Sequence, residues 1–104
     1  MKYKSVLGKI IELTTERKLH ILTKHPELKK HLGKISNILI SPDTIKRSKL
    51  DSEALLFYKY FDTIRGGKYI NVTVKINERN FILTAYITDR IRAGEAYEQE
   101  NSTS

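Results

Sequence analysis

Two stretches near the C-terminus, residues 68–76 and 81–88, alternate between apolar and polar side chains. In the first, Ile70, Val72, Val74 and Ile76 share one parity and Tyr69, Asn71, Thr73 and Lys75 the other. In the second, Phe81, Leu83, Ala85 and Ile87 alternate with Ile82, Thr84, Tyr86 and Thr88. Successive side chains of a strand point to opposite faces, so both stretches predict half-buried strands. A four-residue loop over 77–80 pairs Ile76 with Phe81, Val74 with Leu83, Val72 with Ala85 and Ile70 with Ile87. The same register sets Lys75 against Ile82, Thr73 against Thr84, Asn71 against Tyr86 and Tyr69 against Thr88. The hairpin then has one oily face and one face of hydroxyls, aromatic rings and an amine.

Upstream, residues 6–13 are aliphatic and β-branched and predict a first strand. Thr14 or Thr15 offers a hydroxyl cap, and Glu16 suits the first turn of a helix. Leu19 and Leu22 lie one turn apart, so 16–24 reads as a short helix. Pro26 ends it, yet fits the first turn of a second helix over 26–39, where Leu28, Leu32, Ile35 and Ile38 recur at helical spacing. Ser41-Pro42-Asp43 is a turn, 44–48 a short strand, and aromatic-rich 53–61 another strand, with a helix as its alternative, while Gly66-Gly67 marks the loop into the hairpin. The expected fold is α+β, with two N-terminal helices packed on one face of a twisted antiparallel sheet of four to five strands. The opposite face stays open. Residues 1–92 make a single domain, and 93–104 form a polar, acidic tail that frays.

Composition adds a partner class. Nineteen Lys and Arg against twelve Asp and Glu give a net charge of +7 and a pI near 9.7. Such a balance favours a polyanion, most often nucleic acid. There is no cysteine, which removes disulfides, thiolate catalysis and cysteine-held metals. No stretch approaches the roughly 20 apolar residues that span a bilayer. Lys9 interrupts what would have to be a signal peptide's apolar run. The expectation is a cytoplasmic chain with no membrane partner.

With Tyr58 and Tyr60 on the polar parity, the open face gathers Tyr58, Tyr60, Tyr69, Asn71, Thr73 and Thr88 as a nucleic-acid platform, beside Lys75, Thr84 and Tyr86. Aromatic rings stack on bases and cations meet phosphates, the pattern of single-strand binding. Cutting RNA without a metal needs a base for the 2′-OH, a cation for the phosphorane and an acid for the leaving oxygen. Histidine suits proton transfer near neutral pH. His25, at the junction of the helices, leads, with a loop or capping role as its alternative. His20, between Leu19 and Ile21, reads first as partly buried and structural and is second choice for proton transfer. His31, among lysines, reads as solvated. Arg47 and Lys75 are candidate phosphate-facing cations. The histidine spacings of five and six do not match a helical metal pair, so no metal or cofactor is expected.

Four strings carry a resemblance: Leu19-His20-Ile21-Leu22-Thr23-Lys24-His25-Pro26-Glu27-Leu28, Pro42-Asp43-Thr44-Ile45, Leu56-Phe57-Tyr58 and Leu83-Thr84-Ala85-Tyr86-Ile87-Thr88. From about residue 8 to 92 the chain resembles phage-associated nuclease-like domains of the barnase–EndoU–colicin–RelE (BECR) class. That resemblance implies N-terminal helices against a small antiparallel sheet, a metal-independent RNase site on the sheet, and family-like polar positions at His20, His25, Arg47, Tyr58, Lys75, Thr84 and Tyr86. The combined reading is RNA cleavage by 2′-OH transesterification. His25 is acid or base, Arg47 and Lys75 steady the phosphorane, and Thr84 or Tyr86 positions the substrate. The alternatives are a non-catalytic nucleic-acid-binding module, and a toxin-like domain whose basic face is covered by an acidic inhibitor or antitoxin. An exposed hairpin edge would also allow a homodimer.

Overall fold

A computed structural model describes residues 1–91 and the backbone of a two-residue strand at 95–96. In chain order the elements are β1 (Lys2–Lys4), β2 (Ile10–Glu12), α1 (Thr15–Lys24), a 3₁₀ segment (Pro26–Lys34), α2 (Ile35–Ile40), β3 (Thr44–Arg47), β4 (Ala54–Phe61), β5 (Lys68–Ile76), β6 (Asn80–Thr88) and β7 (Glu95–Ala96). The α+β class holds, but the expected sheet does not. Among the described residues the seven strands form one sheet in the order β1-β2-β6-β5-β4-β3-β7, and it is mixed, because β2 runs parallel to β6 through the pair Glu12–Phe81. The aliphatic run 6–13 is not one strand. Gly8, at φ +79°, turns it back so that β2 pairs antiparallel with β1. The second helix is also revised, being 3₁₀ over Pro26–Lys34 and α-helical only from Ile35. The tail expected at 93–104 lies outside the described residues, apart from β7, which pairs with β3.

Thr14 caps α1 with extended backbone, its hydroxyl accepting from the Arg17 N–H at 3.0 Å. The helix closes where the His25 N–H donates to the Ile21 carbonyl at 2.7 Å. Pro26 follows, and its fixed φ starts the 3₁₀ segment. Ile21 is the buried residue of α1, whereas Leu19 is 67% exposed. Ile21, Leu28, Ile35, Ile38 and Leu39 from the helical layer meet Leu55, Phe57, Ile70, Val72, Val74, Ile82 and Ala85 from the sheet. No helix among the described residues is long and apolar enough to cross a membrane.

The hairpin register agrees with the alternation from Tyr69–Thr88 to Thr73–Thr84, then slips. Val74 pairs with Ile82, Lys75 with Phe81 and Ile76 with Asn80, leaving Leu83 as an extra, bulged residue. An inserted residue reverses facing for everything before it. Ile82 is therefore fully buried, while Phe81 and Leu83, expected in the core, are only half-buried. The loop shortens to 77–79, closed by the Arg79 N–H donating to Asn77 Oδ1 at 2.8 Å.

Candidate functional site

The second face of the sheet is not an open platform. Tyr58, Asn71 and Tyr86 form one row across β4, β5 and β6, and Tyr58 and Asn71 are fully buried. Neither presents a surface to a base. Asn71 Oδ1 accepts from Thr73 Oγ1 at 2.7 Å, while its buried Nδ2 has no hydrogen-bond partner. Tyr69 and Thr73 are half-buried, as is Thr88, which caps its own turn by accepting from the Arg90 N–H. Tyr60, at 46% exposure, stays accessible and meets the Tyr69 ring edge-on at 5.2 Å between centroids.

The two expected cations, Arg47 and Lys75, both engage loops. Arg47 sits on β3, three strands from β6 in the sheet, and its guanidinium donates to the Ser52 carbonyl at 2.7 Å. Lys75 pairs with Asp51 and Glu53 on the β3–β4 connection. Its hydrogen bond to Asp51 raises the ammonium pKa and lowers that of the carboxyl.

The remaining candidates do meet. The short β2 covers β6 only at Phe81, and beyond that point α1 packs alongside β6. A cleft of about 530 Å³ lies between them, lined by Arg17, His20, Lys24, His25, Leu83, Thr84, Tyr86 and Ile87. Side chains of both parities of β6 reach it, as happens at the edge of a strand and not on one face. Arg17, His20 and Lys24 recur at i, i+3 and i+7, one stripe of α1. His20 is exposed on that stripe, contrary to the partly buried role first expected. The end of α1 before Pro26 turns the half-buried His25 toward β6, where its ring lies 5.7 Å from that of Tyr86, tilted by 41°. Its Nδ1 is 3.8 Å from Glu27 Oε2.

His31, expected in solvent, is half-buried with Nδ1 unpartnered. Burial first, then Lys34, Lys30 and Arg65, hold its imidazole below the ordinary value. Among the described residues no three His, Asp or Glu side chains are grouped to hold a metal ion. Arg17 and Lys24 were not among the sequence candidates, although their spacing to His20 was the available signal. No protein-family model matches the chain, and neither a curated protein nor a solved structure matches it.

Proposed function

We propose that the chain binds single-stranded RNA in the α1–β6 cleft and cuts it without a metal, as in the BECR class that its sequence strings resemble. The observation that carries this reading is the gathering of two imidazoles, a phenol, a hydroxyl and two cations around one cleft. His25 Nε2 takes the proton of the 2′-OH, and the 2′ oxygen attacks the neighbouring phosphorus. The bond from phosphorus to the 5′ oxygen breaks, and His20, in its protonated form, delivers a proton to the departing oxygen. The products are a 2′,3′-cyclic phosphate and a 5′-OH. Arg17 and Lys24 neutralise the phosphorane, whose extra charge develops only in the transition state. Thr84 and Tyr86 fix the sugar–phosphate from the β6 side. A cytoplasmic setting, where RNA is at hand, belongs to the same proposal.

The test is incubation of purified protein with RNA in excess chelator, with mass analysis of the ends produced. Cyclic or 3′-phosphate ends support the mechanism, with His25→Ala lowering the rate by about a hundredfold, within the range of general acid–base catalysis. Cleavage only on addition of a divalent metal contradicts it. Salt-sensitive binding without cleavage would reduce the cleft to a docking site.

A further inference from the structure

Resting on that reading, we infer that the substrate strand extends from the cleft toward the N-terminal end of β6, where Phe81 supplies a stacking platform for one flanking nucleotide. The Leu83 bulge carries the argument. Without it, the alternation of β6 would bury Phe81 under the helices. With it, Phe81 pairs with Lys75 and lies half-buried on the outer side. Bulges beside functional sites commonly re-aim a side chain in this way.

The ring borders a smaller depression of about 200 Å³, lined by Thr14, Glu16, Arg17, Arg79 and Phe81. Arg17 also lines the α1–β6 cleft, so the two hollows share a wall and a cation. Arg79 reaches over the Phe81 ring, its guanidinium carbon 6.0 Å from the centroid, and also lies 3.5 Å from a Glu12 carboxylate oxygen. Phe81 and Leu83 are two residues apart, about 7 Å along a strand, which suits adjacent nucleotides of an extended chain. An aromatic ring in a hollow that two arginines also line can stack any base while the arginines meet the adjoining phosphate, so the subsite selects single strands without selecting sequence.

The hollow at the other end of the cleft differs. Glu27, Arg65, Lys68, Ile87, Thr88 and Asp89 line it, with Lys68 held to Asp89 at 2.7 Å. It offers no aromatic ring, so the stacked nucleotide belongs on the Phe81 side.

The experiment measures binding of 2′-O-methyl oligoribonucleotides, which cannot be cleaved, by fluorescence anisotropy. Wild type, Phe81→Leu and Phe81→Tyr are compared, with urea midpoints confirming that each variant is folded. Phe81→Leu should weaken binding about fivefold or more, the lower end of base–aromatic stacking, while Phe81→Tyr stays near wild type. An abasic nucleotide at one flanking position should produce the same loss in wild type and little further loss in Phe81→Leu. If wild type binds but Phe81→Leu binds equally and the abasic scan is flat, the stacking subsite is overturned and the cleft reading survives. If wild type binds no oligonucleotide, both fall.

Discussion

Alanine at Ile82 and alanine at Leu83 should have opposite consequences to those the alternating pattern alone implies. Ile82 is fully buried against the helical layer, and truncating such a side chain costs about 2–5 kcal/mol through lost transfer energy and the cavity left behind. For a domain of this size each kcal/mol shifts the melting temperature by roughly 4 °C or more, so Ile82→Ala should melt at least about 8 °C lower. Leu83 is the bulged residue and only half-buried. Full burial of a leucine contributes about 1.5–3 kcal/mol, so Leu83→Ala should cost about 1 kcal/mol. Urea titrations followed by circular dichroism give both values, provided the slopes match that of wild type. A regular hairpin would reverse the order, sending Leu83 inward and Ile82 outward. If Leu83→Ala proves as costly as Ile82→Ala, the bulge is wrong, and the outward placement of Phe81 goes with it.

Two further perturbations follow from local geometry and charge. Gly67 sits at φ +118°, and a Cβ there would lie 1.8 Å from the Tyr60 hydroxyl oxygen. Gly67→Ala should therefore cost about 2–3 kcal/mol from backbone strain and displacement of Tyr60 from Tyr69. Thermal melts should show Tyr60→Ala recovering only the steric part, whereas an unchanged melting temperature in Gly67→Ala would refute the assignment. Lys75 holds the Asp51 carboxyl below its ordinary value. That pairing stabilises the fold above the unfolded carboxylate range near pH 4, and the gain disappears as pH falls through the lower folded value. Asp51→Asn should be less stable than wild type at neutral pH, with the two stability curves converging in acid; a constant gap would contradict the pairing.

The alternation in 68–76 and 81–88 was enough to locate β5 and β6 and most of their register, because a period of two has one structural meaning. It could not show the bulge, although Ile82 was the one aliphatic residue out of phase with its strand. The parallel pairing of β2 with β6 rests on a single long-range residue pair, which leaves no local pattern. Period also says nothing about whether a second face is covered, so Tyr58 and Asn71 read as a platform while being buried. Leu19 and Leu22 suggested the inward face of α1, but Ile21 is its fully buried residue and Leu22 only packs partly buried beside it, which leaves the Arg17–His20–Lys24 stripe flanking Ile21 on the side of β6. His25 was legible because Pro26 forces a break beside it. The engagement of Lys75 was not, since its partner Asp51 lies 24 residues away and cannot be read from its neighbours.

The decisive measurement is a nuclear magnetic resonance titration of the protein with a non-cleavable single-stranded oligoribonucleotide, following backbone amides and histidine rings. Shifts should concentrate at Arg17, His20, Lys24, His25, Thr84 and Tyr86, along the edge where α1 lies beside β6. Shifts confined to Arg47 and its neighbours on β3, or to Tyr60 and Tyr69, would place the RNA elsewhere and contradict a site built between that helix and strand.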